Sequence, residues 1–97
     1  MPKASLAVQI LPLYDDQARS LAAIERVIDM IRQQADHVVV SPFETTIEGD
    51  FHELMDLLTR VIEVAGQDGE NIFVNTKIRY HKEGQMLSSE AKTNKYR

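Results

Sequence analysis

Hydrophobic residues alternate with small or polar ones along residues 3–11, which is the two-residue period of a strand with one buried face. Pro12 ends this predicted strand. Hydrophobic residues then recur at spacings of three and four, which predicts an amphipathic helix capped by Asp15 or Asp16. Its predicted buried stripe is Ala18, Leu21, Ala22, Ile24, Val27, Ile28 and Ile31.

Two short strands are predicted in the middle of the chain. Residues 37–41 contain three consecutive valines, a β-branched run that is typical of a strand. Pro42 marks a tight connection, and residues 44–48 form the next predicted strand, which Gly49 and Asp50 close.

A second helix and a last strand complete the pattern. Asp50, with Glu53 three residues later, resembles a capping box, and Gly66 supplies a C-terminal stop. The predicted buried face of this helix is Phe51, Leu54, Leu57, Leu58, Val61, Ile62 and Ala65. Residues 71–80 alternate again and predict the last strand.

The element order β-α-β-β-α-β predicts the split βαβ arrangement of an α+β, ferredoxin-like fold. Right-handed crossovers place both helices on one face of a four-stranded antiparallel sheet, with the strand order 4-1-3-2. We expect one ligand-binding domain over residues 1–97, with a polar C-terminal tail from about residue 82.

Composition narrows the class of protein. The net charge of -4 disfavours nucleic acid as a partner, since binding to phosphates needs a basic face. The absence of cysteine excludes disulfides and thiolate metal sites, and the three histidines lack ligand spacing. No signal-like or membrane-spanning apolar run occurs, so we expect a cytoplasmic protein without membrane insertion. A chain of 97 residues leaves apolar surface that self-association can cover.

Polar residues on the sheet face opposite the helices form a candidate ligand site. Asn75 carries the strongest signal, because asparagine is depleted in strand interiors. Glu48 and Lys77 alternatively form a cross-strand ion pair, and Phe73 alternatively contacts another subunit. The candidate residues on this face are Gln9, Glu44, Thr46, Glu48, Phe73, Asn75 and Lys77.

Catalysis has little support in the sequence. The chain has no Gly-rich phosphate loop and no pattern of a nucleophile with its base. Glu44 and Glu48 lie four residues apart on one strand, about 13 Å, which is too far to share a proton. We therefore predict a non-enzymatic binding protein with no catalytic residue, metal site or catalytic cofactor.

Three segments of the chain, residues 8–12, 41–50 and 74–78, resemble the thiamine-binding protein family, as does the tail over residues 90–97. The middle segment is the most specific, because Pro42, Thr45, Glu48 and Gly49 match the family's pattern. Thr45 thereby joins the candidate binding residues. Strict alternation places Thr45 and Glu48 on opposite faces, so either a bulge re-aims one of them or Thr45 is structural and Glu48 binds.

The resemblance implies a ferredoxin-like subunit that assembles into homodimers and homotetramers. It also implies that thiamine, or its hydroxymethylpyrimidine precursor, binds as a ligand in transport, salvage or sensing. A carboxylate can pair with a protonated pyrimidine nitrogen or with the charged thiazolium ring. Side-chain amides can form hydrogen bonds with the edge of the pyrimidine. The ring of Phe73 or Phe43 can stack on a ring of the ligand. Two alternatives stay open: a regulatory oligomeric domain for another small metabolite, and a purely structural interaction protein.

Overall fold

The predicted elements occur in the predicted order in a computed structural model that describes residues 3–69 and 71–83. They are β1 Lys3–Pro12, α1 Gln17–Gln34, β2 His37–Val40, β3 Thr45–Asp50, α2 Phe51–Ala65 and β4 Ile72–His81. The predicted bounds differ from these by one or two residues. The largest difference is the end of β3, which continues to Asp50 and runs directly into α2.

The four strands form one antiparallel sheet in the order β2-β3-β1-β4, which confirms the predicted order. β1 is central and pairs with β4 along its full length, from Lys3 opposite His81 to Pro12 opposite Ile72. It pairs with β3 from Lys3 opposite Asp50 to Val8 opposite Thr45. Because this register advances without interruption, no bulge re-aims a β3 side chain, and Thr45 and Glu48 lie on opposite faces.

The core lies between the sheet and the two helices. Leu6 on β1, Ile47 on β3 and Val61 on α2 are each 0% exposed. Fully burying one such side chain contributes about 1.5–3 kcal/mol to folding. The buried set, which alternates along the strands and follows one stripe on each helix, is Ala4, Leu6, Val8, Ala23, Val27, Ile31, Ile47, Leu54, Leu57, Val61 and Ala65.

The two helix N-termini are capped by aspartates, as predicted. The Asp16 carboxylate accepts hydrogen bonds from the backbone N–H groups of Ala18 at 2.9 Å and Arg19 at 3.4 Å, which selects Asp16 over Asp15. The Asp50 carboxylate accepts from the N–H of Glu53 at 3.1 Å. Each cap satisfies amide groups that the first helical turn leaves without a partner.

The buried stripe of α1 is rotated from the predicted one. Ala23, Val27 and Ile31 are buried, whereas Leu21 is 53% exposed and Ala18 and Ala22 are also exposed. The three buried residues are spaced by four, and Val27 and Ile31 belong to the core that also contains the strand residues. Ile24 and Ile28 are half-buried on the flank of this stripe, which places them beside the end of β1.

The C-terminal part of the chain is described as far as Glu83. The predicted polar tail beyond that residue, and the family-like segment over residues 90–97, lie outside the described residues. Within the described residues, no helix has the length and the apolar character that crossing a membrane requires.

Candidate ligand-binding site

The open face of the sheet brings Gln9 and Asn75 together, as the alternation predicted. The two residues are directly opposite on β1 and β4, and Asn75 Nδ2 donates a hydrogen bond to Gln9 Oε1 at 3.2 Å. The Gln9 amide nitrogen and the Asn75 carbonyl oxygen take no part in this bond and can form other hydrogen bonds. The bond restrains both side chains relative to each other.

Lys77 pairs with Glu44 rather than with Glu48. Its Nζ lies 3.1 Å from both Glu44 carboxylate oxygens, and the two side chains are 76% and 30% exposed respectively. An exposed pair of this kind contributes about 0–1 kcal/mol to stability. It borders a shallow depression of about 250 Å³, which we call the open-face cleft. The cleft is lined by Ser5, Ala7, Glu44, Thr46, Lys77, Ile78 and Arg79.

Glu48 and Phe73 lie away from these residues. Glu48 is opposite Ser5 on β1, four positions from Gln9, a separation of about 13 Å along the strand. It lines a groove of about 740 Å³ where the end of α1 approaches the start of α2. Phe73, 61% exposed, is opposite Leu11 near the other end of the sheet. Gln9, Glu48 and Asn75 therefore do not converge on one point.

A second cavity lies on the helix-covered face, at the end of β1. We call it the helix-side cavity, and its volume is about 230 Å³. Its walls come from β1, from α1 and from the connection between β2 and β3. The lining residues are Val8, Gln9, Ile10, Leu11, Ile24, Val27, Ile28, Ile31, Ser41, Pro42, Phe43, Glu44 and Thr45.

The polar part of the helix-side cavity comes mainly from the β2–β3 connection. Ser41 N–H donates to the Glu44 carbonyl at 2.9 Å, which closes a two-residue turn of Pro42 and Phe43. Thr45 follows as the first residue of β3, opposite Val8. A tight turn next to a regular strand end therefore places Ser41, Glu44 and Thr45 at the edge of a largely apolar space. The Glu44 carboxylate itself pairs with Lys77 on the open face.

Thr45 is the only polar residue that is buried in the described part of the chain, at 6% exposure. Within the described residues, the fully buried side-chain atoms without a hydrogen-bond partner are Arg26 Nε and Asp50 Oδ1, so the Thr45 hydroxyl does not carry the cost of a buried unpaired group. Because Thr45 lines the helix-side cavity, its hydroxyl is within reach of a molecule bound there. Glu44 lines both the helix-side cavity and the open-face cleft, so it is the one candidate that borders both spaces.

The predicted binding residues Gln9, Glu44 and Thr45 line the helix-side cavity, and Glu44, Thr46 and Lys77 line the open-face cleft. Phe43, which was expected to stack on a ring, also lines the helix-side cavity, whereas Ile24, Ile28 and Ser41 were not predicted as site residues. Parity along β3 carried a signal, because Thr45 is in phase with the core residue Ile47. No residue pattern indicated the depth of the cavity, because that depth depends on how α1 crosses the end of β1.

Comparison with known proteins decides the family. A family model described as thiamine-binding protein matches residues 6–97, nearly the whole chain. The chain belongs to the thiamine-binding protein family. A UPF0045 protein from Clostridium perfringens is 30% identical over 98 residues, and the similarity covers 100% of both chains.

Two solved structures of relatives have the same fold. One, a protein from Streptococcus pneumoniae, is 43% identical with a TM-score of 0.81, over 95% of this chain and 98% of that one. The other, a Thermotoga maritima protein described as a candidate thiamine biosynthesis/salvage protein, is 28% identical with a TM-score of 0.82. The match covers 98% of this chain and 99% of that one. The predicted ferredoxin-like fold and family are thus confirmed.

Proposed function

We propose that this family member binds thiamine, or its hydroxymethylpyrimidine precursor, in the helix-side cavity. The observation that carries the proposal is Thr45, the one buried polar residue of the described chain, which lines a largely apolar cavity. It lies in residues 41–50, the most family-specific segment of the chain. A ligand that reaches Thr45 is enclosed by α1 on one side and β1 on the other.

The chemistry of the cavity suits an aminopyrimidine. Its aliphatic walls accept the flat faces of a ring, and the burial of apolar area contributes about 25 cal/mol per Å². The Thr45 hydroxyl both donates and accepts, which matches an exocyclic amino group or a ring nitrogen. In the proposed complex, the Glu44 carboxylate exchanges Lys77 for a protonated ring nitrogen of the ligand. It accepts a charge-assisted hydrogen bond from that nitrogen, and such bonds are about twice as strong as neutral ones.

Isothermal titration calorimetry of the purified protein tests the proposal. Thiamine, thiamine phosphate and hydroxymethylpyrimidine are titrated separately, and at least one of them should give saturable heat. Glu44→Gln should weaken that binding by about 1.5–3 kcal/mol, roughly 10- to 150-fold, because it removes the charge from the bond. Glu48→Gln, at the other end of the sheet, is the matched control and should bind as the unaltered protein does. Absence of heat with all three compounds rejects the proposal.

Binding without turnover is part of the same proposal, and it implies a carrier, a buffer or a sensor. Within the described residues, no group of three or more His, Asp or Glu side chains is placed to hold a metal ion. On this proposal, the protein releases thiamine chemically unchanged after long incubation, as mass spectrometry of the bound and free ligand can establish. Conversion of the ligand into a product would show that the protein is an enzyme.

Self-association into homodimers or homotetramers is also proposed. β4 is an edge strand of ten residues, and an exposed edge of this length is a template for pairing with another chain. Phe73, Ile78 and Tyr80 on this strand are 61%, 46% and 50% exposed. Light scattering after size-exclusion chromatography should give two or four times the 11.0 kDa mass of one chain. A mass of one chain at all concentrations contradicts this part.

A further inference from the structure

We propose that Phe43 binds the cationic ring of the ligand at the rim of the helix-side cavity, while the uncharged or protonated pyrimidine enters the cavity itself. This inference rests on the proposed function and assigns an orientation to the ligand. It makes Phe43 a residue that distinguishes ligands carrying a second, positively charged aromatic ring from those that consist of the pyrimidine alone.

The exposure of Phe43 needs an explanation. The side chain is 80% exposed, the highest value among the exposed large hydrophobic residues of the described chain. It nevertheless lines the helix-side cavity together with Glu44 and Thr45. An aromatic side chain that is open to water on one side and borders a cavity on the other is available to cover a bound molecule.

The turn that carries Phe43 holds its backbone in place. Pro42 fixes its own φ near -65°, and the Ser41 to Glu44 backbone hydrogen bond of 2.9 Å closes the turn. Ordering a phenylalanine side chain on a preformed backbone restricts only two torsions, so little of the contact energy is lost to entropy. Three consecutive residues, Phe43, Glu44 and Thr45, then offer a ring face, a carboxylate and a hydroxyl.

The size of the cavity determines which part of the ligand stays outside. Its volume of about 230 Å³ is below the roughly 300–1,000 Å³ of ordinary ligand pockets, so a two-ring molecule extends beyond the rim. Thiazolium carries a permanent charge that it cannot lose as a proton, and moving such a charge into an apolar space is costly. The pyrimidine, in contrast, can enter uncharged, or protonated and paired with Glu44. The pyrimidine therefore occupies the interior, and the thiazolium lies at the rim, where Phe43 offers its ring to a cation.

Affinities for two ligands test this orientation. Phe43→Ala should weaken thiamine binding roughly 2- to 30-fold, the equivalent of a cation–π contact, and leave hydroxymethylpyrimidine binding unchanged. Phe43→Tyr should retain both affinities. Phe73→Ala, which removes a comparably exposed aromatic residue from the open face, is the matched control and should change neither affinity. Equal weakening of both ligands, or of neither, by Phe43→Ala overturns the assignment.

The absence of tryptophan from the chain provides a second, independent measurement. Phe43→Trp places the chain's one tryptophan at the rim, and its emission, excited selectively beside the three tyrosines, should change saturably as thiamine is added. Phe73→Trp should not respond. A change in emission of Phe73→Trp and none of Phe43→Trp would reject the role of Phe43 but not thiamine binding. Absence of heat when the unaltered protein is titrated with the ligands would reject the proposed function itself. Emission of Phe43→Trp that depends on protein concentration without ligand would show that a second copy covers the residue, and would also overturn the inference.

Discussion

Thr45 and Thr46 are neighbours in the chain, yet they lie on opposite faces of the sheet. Thr45 is buried beneath α1 and lines the helix-side cavity. Thr46 is half-buried on the open face and lines the open-face cleft beside Lys77. The same residue type is therefore buried in largely apolar surroundings at position 45 and half-buried beside charged groups at position 46.

This contrast indicates on which face a small ligand gains more binding free energy. On the open face, polar groups already interact with water or, as Glu44 and Lys77 do, with each other. A new contact with a ligand there contributes little to binding free energy. In the helix-side cavity, a hydrogen bond to Thr45 meets less competition from water, because the residue is only 6% exposed. Apolar walls add area that the ligand buries.

Stability should depend on the helix-covered face far more than on the open face. Ile47→Ala removes a side chain that is 0% exposed and should lower the free energy of unfolding by about 2–5 kcal/mol. Thr46→Ala, the adjacent residue on the open face, should lower it by less than about 1 kcal/mol. Urea denaturation of both variants measures this. Equal losses would mean that the open face is also covered, for example by another subunit.

Ligand affinity should separate the two threonines. Thr45→Val keeps the shape of the side chain but removes its hydroxyl, and it should weaken thiamine binding by about 1–3 kcal/mol, roughly 5- to 150-fold. Thr46→Val should bind as the unaltered protein does. Calorimetric titration of the two variants under identical conditions makes the comparison. A loss at Thr46 with none at Thr45 would move the site to the open-face cleft.

The amide pair of the open face should have a modest structural role. Asn75→Ala removes the 3.2 Å hydrogen bond to Gln9 and should lower the free energy of unfolding by about 0.5–1 kcal/mol. Thiamine affinity should stay the same, since Asn75 does not line the helix-side cavity. Thermal denaturation with and without ligand measures both quantities. A smaller ligand-induced rise in melting temperature would place Asn75 in the site, as the sequence suggested.

The smallest effect is expected at Lys77. Lys77→Met removes a cation 3.1 Å from both Glu44 oxygens and should change stability by under about 0.5 kcal/mol, because Lys77 is 76% exposed. The Glu44 carboxylate then has no competing partner on Lys77, so a cationic ligand should bind roughly twofold more tightly. Titrations at low and high salt measure this. Weaker binding by this variant would instead show that Lys77 positions Glu44 for the ligand.

Much of the fold was predictable because local chemistry and global topology agree. Asp50 caps α2, the three valines of β2 form a strand, and alternation in β1 places Leu6 and Val8 in the core. The rotation of α1 was not predictable, because Leu21 and Ala23 are both apolar and only contact with the sheet selects between them. The hydrophobic pattern alone therefore locates the buried stripe of this helix only to within about one residue.

The candidate site was less predictable than the fold. Residue types identified Gln9, Glu44, Asn75 and Lys77 as polar residues of the sheet, but their pairing depends on tertiary register. Lys77 meets Glu44 because the Ser41–Glu44 turn brings that carboxylate over the neighbouring strand. A cavity is a property of several elements together, so residues of α1 such as Ile24 and Ile28 carry no local sign of it.

The most direct test of the account is the amide and methyl NMR spectrum of the isotope-labelled protein during a titration with thiamine. We predict saturable shifts for the amide groups of Ser41 and residues 43–45 and for the methyl groups of Ile24 and Ile28, which surround the helix-side cavity. The methyl group of Thr45 should shift more than that of Thr46. Shifts confined to Thr46, Lys77 and Asn75, or no saturable shift at any residue, would contradict a thiamine site beneath α1.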